Sequence, residues 1–60
     1  MYIFKAHYIN METEECTIRT IRVDGQFFDS EKDCYLYAMG IAYDIMENYE
    51  CFESLEFICC

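Results

Sequence analysis

The side chains of this sequence that could act as nucleophiles, bases or metal ligands are one histidine and five cysteines. They are His7, Cys16, Cys34, Cys51, Cys59 and Cys60. A cysteine nucleophile needs a histidine within hydrogen-bond reach and a third group that orients it. His7 could meet a cysteine on a neighbouring strand, but an exposed strand histidine is the more ordinary interpretation. We therefore expect no catalytic residues and no enzymatic activity.

Metal and cofactor sites have equally little support in the sequence. Zinc modules place two ligands a few residues apart so that one turn supplies both, whereas the only close pair here is the adjacent Cys59 and Cys60. The acidic residues form no calcium-binding loop, and Asp24–Gly25 is typical of a turn. Gly25 and Gly40 are isolated, so no glycine-rich phosphate loop is present. We expect no metal and no cofactor.

The cysteines favour a reducing compartment. Their number is odd, no secretory signal is recognisable, and no apolar run reaches the roughly 18 residues that a membrane-spanning helix needs. Free cysteines in such a setting behave as small hydrophobic residues. The sequence therefore predicts free thiols, a cytoplasmic location and no membrane partner.

The charge of the chain is strongly negative. Twelve acidic residues oppose four basic ones, which gives a formal net charge of −8. Such a field repels nucleic-acid phosphates and anionic membranes, so we expect no direct binding of nucleic acid. Two acidic groups form a candidate patch, one in an early connection and one towards the far end of the predicted helix: Glu12, Glu14 and Glu15, and Asp44, Glu47, Glu50 and Glu53.

Period-two patterns of apolar residues predict strands over about residues 2–9, 16–23 and 54–60. In the second strand, Ile18 and Ile21 have opposite parity, so we expect a bulge near residues 19–20. The third strand is expected to turn Leu55, Phe57 and Cys59 towards the core. The segment 50–53 is expected to be a connection.

A helix is predicted over about residues 31–48. Ser30 followed by Asp33 matches a capping box, in which the serine oxygen accepts a free backbone N–H. The apolar residues that follow keep a 3.6-residue period. The order is β-β-α-β, which predicts a single α+β domain over residues 1–60. We expect a three-stranded antiparallel sheet of order 2-1-3 with the helix on one face. The alternative places the third strand parallel beside the second.

A domain of this size cannot hide all of its apolar residues. Hydrophobic residues make up 55% of the chain, and a 60-residue fold buries only about 60% of its surface. Two candidate interaction surfaces follow. One is a helix stripe at Leu36, Met39, Gly40 and Tyr43. The other is an open sheet face with Ile3, Ile9, Ile58 and Cys60, beside Lys5, His7, Arg19 and Glu56.

The leading functional interpretation is a small, non-enzymatic protein-interaction module that forms a homo-oligomer or binds another protein. The alternative is an acidic mimic of nucleic acid that inhibits a DNA- or RNA-binding protein, whose binding should weaken steeply with salt. A third class is a cysteine-based redox or metal-responsive protein. The size and β-β-α-β order resemble those of many short proteins of bacterial phages and mobile elements, which favours a bacterial or phage origin.

Overall fold

A computed structural model describes residues 1–59 of the chain. Its elements are the strands β1 (Tyr2–Asn10), β2 (Cys16–Val23) and β3 (Glu50–Cys59), a 3-10 turn (Gly25–Phe27) and the helix α1 (Glu31–Asp44). The three strands form one antiparallel sheet of order β2-β1-β3, and α1 packs on one face of it. The predicted α+β fold and the 2-1-3 strand order are confirmed. The parallel alternative is wrong.

The core lies between α1 and the helix-facing side of the sheet. Alternate residues of β1 point to that side because strand side chains have a period of two. On α1, the buried positions hold small side chains, which lets the helix axis approach the sheet closely. The buried core residues are Phe4, Ala6, Tyr8, Ile21, Val23, Cys34, Ala38 and Ala42.

The predicted start of α1 is confirmed, but its predicted end is wrong. The Ser30 hydroxyl accepts the Asp33 N–H at 3.3 Å, as the capping pattern indicates. The helix ends at Asp44, four residues before the predicted end. The apolar period continues through Ile45 and Tyr49, yet both side chains are exposed. After the helix the chain returns to the sheet, where Glu50 forms a buried ion pair.

The bulge predicted in β2 is absent. Every residue of β2 pairs in continuous register with β1, from Cys16 opposite Ile9 to Val23 opposite Tyr2. Ile18 is simply exposed on the open side of the sheet, with 54% of its surface accessible. The unbroken register turns Arg19 to the helix side, opposite Ala6. The prediction that Arg19 lies on the open sheet face is therefore wrong.

The irregularities of the sheet lie in β3 instead. The pairing of β1 with β3 shifts between Ile3 and Phe4 and again between His7 and Tyr8, which leaves Ile58 and Glu53 as extra residues on β3. The first shift places Cys59 opposite Ile3, on the open side, so the predicted core position of Cys59 is wrong. The strand also starts at Glu50, four residues earlier than predicted.

Candidate interaction surfaces

The side of the sheet away from α1 forms a continuous surface, which we name the open sheet face. Four rows of directly opposed residues cross it from β2 through β1 to β3. Directly opposed residues on antiparallel strands share a face and lie within side-chain reach. The rows are Cys16–Ile9–Cys51, Ile18–His7–Ser54, Thr20–Lys5–Glu56 and Arg22–Ile3–Cys59.

The open sheet face mixes apolar and polar residues: one end row is apolar, the other includes Arg22, and Ile18 lies in a middle row. Ile9 and Ile3 lie in the centres of the end rows, each beside at least one exposed cysteine. These two isoleucines occupy the predicted face. Ile58 is the extra residue at a bulge and is 41% exposed. The predicted contribution of Cys60 lies outside the described residues.

The middle of this face holds the only histidine of the chain. His7 Nε2 lies 3.1 Å from Glu56 Oε1, so its hydrogen bond goes to a carboxylate rather than to a thiol. The thiols of Cys16, Cys51 and Cys59 are free and exposed. Among residues 1–59, no group of three or more potential ligands is arranged to hold a metal ion.

The helix stripe lies on the outer side of α1. Leu36 and Tyr43 are 55% and 54% exposed, and Met39 is half-buried. A Cβ built on Gly40 would meet no atom within 4 Å. The ring of Tyr43 packs against that of Phe52, with centroids 4.8 Å apart, so part of the stripe already rests on β3. No close backbone contact within the single chain explains Gly40.

Most members of the candidate acidic patch are exposed near one end of the molecule, and one member is buried. The Met11 N–H donates to the Tyr49 carbonyl at 2.8 Å, which joins the β1–β2 connection to the segment that follows α1. The exposed members are Glu12, Glu14, Glu15, Asp44, Glu47 and Glu53. Glu50 is only 4% exposed and is ion-paired. Its assignment to the acidic patch is therefore wrong.

Glu50 belongs instead to a buried polar cluster that the sequence did not reveal. Arg19 donates to both oxygens of the Glu50 carboxylate, at 2.7 and 2.9 Å, and the Glu47 N–H donates to Oε1 at 2.9 Å. The guanidinium carbon lies 4.7 Å from the centroid of the Tyr8 ring, which is typical of a cation–π contact. The Tyr8 hydroxyl donates to the Ala42 carbonyl. The cluster fastens β2, β1, α1 and the start of β3 to each other.

The electrostatics of this cluster follow from its contacts. The Arg19 hydrogen bonds and the Glu47 N–H hold the pKa of Glu50 below its ordinary value of 4.5. Burial raises the pKa of the Tyr8 phenol, and the neighbouring guanidinium opposes that effect. Burial also raises the pKa of the Cys34 thiol, with a contribution from the carboxylate of Asp33. The pKa shifts of the cluster and of the Cys34 thiol thus follow from burial and from contacts with neighbouring side chains.

Comparison with known proteins gives no further guide. No family model, curated protein or solved structure matches this chain. Within residues 1–59, no helix is long and apolar enough to cross a membrane.

Two shallow grooves flank the helix. One, of about 260 Å³, lies at the start of α1 and is lined by Tyr2, Phe4, Glu31, Lys32, Tyr35 and Phe57. The other, of about 320 Å³, lies between α1 and the end of β2, and is lined by Arg22, Val23, Asp24, Phe27, Phe28, Tyr37 and Ile41. Phe27 is 80% exposed at the second groove. Both grooves are open. The first is walled mainly by aromatic rings, which suits contact with another apolar surface, whereas the second combines three aromatic rings with aliphatic and charged residues.

Proposed function

We propose that this chain is a small, acidic, non-enzymatic protein-interaction module that forms a homodimer in the cytoplasm. One observation carries the proposal: large apolar side chains are exposed on both the open sheet face and the outer side of α1. Ile18 represents the first surface, and Leu36 and Tyr43 represent the second. Exposed apolar patches on a small domain mark surfaces that bind another protein.

The exposure of these apolar side chains follows from the amino-acid composition of the chain and not from loose packing of its core. The accessible surface is 4299 Å², close to the roughly 4,200 Å² that a compact chain of this mass has. Every buried side-chain nitrogen and oxygen in the described residues also has a hydrogen-bond partner. Association is one of the ordinary ways in which a domain of this size covers an apolar exterior.

The cytoplasmic assignment is supported by the thiols. Cys16, Cys34, Cys51 and Cys59 are free. Free exposed thiols persist in reducing compartments and are oxidised in secretory ones.

The test is light scattering coupled to size-exclusion chromatography, on the full chain with a reductant, at low and high salt. Apolar contacts tolerate salt, and salt also screens the repulsion between two chains of net charge −8. We expect a dimer that persists or tightens at high salt. A strict monomer under both conditions would contradict the proposal.

The second candidate function is the acidic mimic of nucleic acid, and one observation favours it. The hydrogen bond from Met11 to Tyr49 brings Glu12, Glu14 and Glu15 to the same end of the molecule as Asp44 and Glu47. A mimic would compete with DNA for a basic groove, and its binding would weaken steeply with salt. The triple substitution Glu12→Gln, Glu14→Gln and Glu15→Gln should abolish such competition, whereas it should leave an apolar homodimer intact.

A further inference from the structure

The two free edges of the sheet differ in their ability to accept another strand. Along β3, the two bulges at Glu53 and Ile58 interrupt the line of backbone groups, and the strand carries three carboxylates. Bulges and charges are the devices by which proteins block pairing at a sheet edge. Along β2, all eight residues are in regular register. Only β2 therefore presents a straight edge.

The backbone groups that face outward from β2 can be identified. The Asn10 N–H donates to the Glu15 carbonyl at 2.8 Å, which fixes the phase of the β1–β2 ladder. In antiparallel pairs, hydrogen-bonded and non-hydrogen-bonded positions alternate. The odd-numbered residues of β2 therefore bond to β1, and the even-numbered ones direct their N–H and C=O groups to the free edge. The outward-facing residues are Cys16, Ile18, Thr20 and Arg22.

The charge distribution makes β2 the place where two copies can meet. The chain carries twelve acidic residues, and none lies within residues 16–23. Of the two arginines there, Arg19 is neutralised by Glu50, and Arg22 is exposed. Of the two edge strands only β2 has no carboxylate, so two copies of net charge −8 repel each other less through β2 than through β3. The groove between β2 and α1, where Phe27 and Tyr37 are exposed, continues the same side of the molecule.

The alternation of side chains restricts the register of such a pair. Opposed residues must share a face, so a two-fold axis between two β2 strands sets one residue opposite the same residue of the second copy. The two registers with the longest overlap place Arg19 or Thr20 on that axis. The first would set Arg19 directly against Arg19 of the second copy; Glu50 offsets part of the repulsion between the two guanidinium groups, but like charges in opposed positions remain destabilising. The second sets Thr20 against Thr20 and Ile18 against Arg22 of the second copy, so the isoleucine can pack on the aliphatic stem of the arginine.

We infer that two copies of this chain pair antiparallel through the free edge of β2, with Thr20 on the two-fold axis. The product is one six-stranded sheet with both helices on the same face. This inference rests on the proposed homodimer and names its interface. It differs from stacking of two open sheet faces and from extension across β3.

The size of the contact sets the expected strength. With Thr20 on the axis, seven residues of β2 overlap, which at about 3.4 Å each make a contact about 24 Å long, and the molecule is 18 Å across in its second dimension. The footprint is on the order of 430 Å² per copy, or about 860 Å² in total, which is below the roughly 1,000 Å² of a stable specific interface and typical of a weak one. The association should therefore be reversible and depend on concentration.

The first experiment removes one outward backbone donor. Sedimentation equilibrium is measured on the full reduced chain from about 1 μM to about 500 μM. Thr20→Pro deletes an N–H that points away from β1, and proline is tolerated at such edge positions. We expect dimerisation to weaken at least about tenfold. Thr20→Val retains the N–H and is the matched control, with dimerisation unchanged. Circular dichroism checks that both variants fold.

The second experiment tests the register without touching the backbone. Ile18→Arg would face Arg22 of the second copy and should weaken dimerisation at least about tenfold. Ile18→Glu would face the same arginine and should preserve or tighten it. The double variant Ile18→Arg with Arg22→Glu should recover dimerisation relative to Ile18→Arg alone.

The outcomes separate the interface from the function. If the wild-type chain dimerises and both Ile18 variants weaken it equally, or if a folded Thr20→Pro variant dimerises normally, the β2 interface is refuted and the homodimer stands. If the wild-type chain is monomeric over the whole concentration range, the homodimer and its interface are both refuted. Loss in Thr20→Pro and Ile18→Arg, with retention in Thr20→Val and Ile18→Glu, supports the inference.

Discussion

Gly40 offers the sharpest test of what covers the helix. It lies inside α1, is exposed, and a Cβ at this position would meet no atom within 4 Å. Glycine within a helix costs about 1 kcal/mol relative to alanine, mainly because the unfolded chain loses more freedom. Because the site has open space, Gly40→Ala should gain most of that amount. We expect the free energy of unfolding to rise by about 1 kcal/mol.

That gain should be easy to measure. For a domain of about 60 residues, 1 kcal/mol corresponds to roughly 4–8 °C in the melting temperature. Thermal unfolding followed by circular dichroism, at one low protein concentration, gives the shift. Urea denaturation gives the free energy, with the slope expected to stay unchanged because the exposed area on unfolding is the same.

Gly25→Ala is the matched control, because its surroundings are the opposite. A Cβ there would overlap the ring of Tyr2, so the ring must move or the turn must shift. We expect Gly25→Ala to lower the melting temperature. If Gly40→Ala fails to stabilise the chain, the expectation from the open space at this position is contradicted; if it abolishes dimerisation, Gly40 is in close contact with a second copy. The helix stripe, and not β2, would then be the interface.

Three further predictions concern the interior. Glu50→Gln should destabilise the chain at neutral pH by breaking the pair with Arg19. The wild-type carboxylate contributes fully to the free energy of unfolding above its ordinary pKa of 4.5, and this contribution is lost as the pH falls through its lower pKa in the folded state. Urea denaturation down to about pH 3 should therefore show that the free energy of unfolding of the variant falls less steeply in acid than that of the wild type. Tyr8→Phe should lower the free energy of unfolding by about 1 kcal/mol, because the buried Ala42 carbonyl loses its hydrogen-bond donor. Tyr37→Phe, at an exposed site, should leave the free energy of unfolding unchanged; chemical denaturation measures both. Alkylation followed by peptide mass spectrometry should find Cys34 protected until the chain unfolds, because it is 1% exposed; rapid labelling in the native state would contradict its place in the core.

The sequence predicted the parts of this fold that depend on local patterns. Period two located β1 and β2, the serine cap located the start of α1, and the order of elements indicated the 2-1-3 sheet. Each of these signals comes from residues that are neighbours along the chain. The exposed positions of Leu36 and Tyr43 were also visible, because they lie off the core arc of the helix.

The errors come from interactions between distant residues. Because Glu50 is acidic, the sequence predicts that it lies in a solvated connection. Nothing in the neighbouring residues indicates that Arg19, one of four basic residues among twelve acidic ones, pairs with it. That missed pair lies at the start of β3, in the segment that the sequence predicts as a connection. In β2, Ile18 and Ile21 occupy positions of opposite parity, which predicts a bulge. The structure shows instead that the register is regular and that Ile18 is exposed. The same signal in β3, between Phe52 and Leu55, does mark a bulge.

The bulges at Glu53 and Ile58 also limit how far assembly can proceed. Sheets with straight edges on both sides can keep adding molecules, and stacked strands of this kind build amyloid fibrils. If two copies pair through β2 as proposed, each molecule has one edge that can accept a strand, because only β2 is in regular register. A pair joined through β2 would present only the irregular β3 to the outside, so growth would terminate at two chains. For a chain this rich in aromatic residues, that irregular strand is a safeguard of solubility.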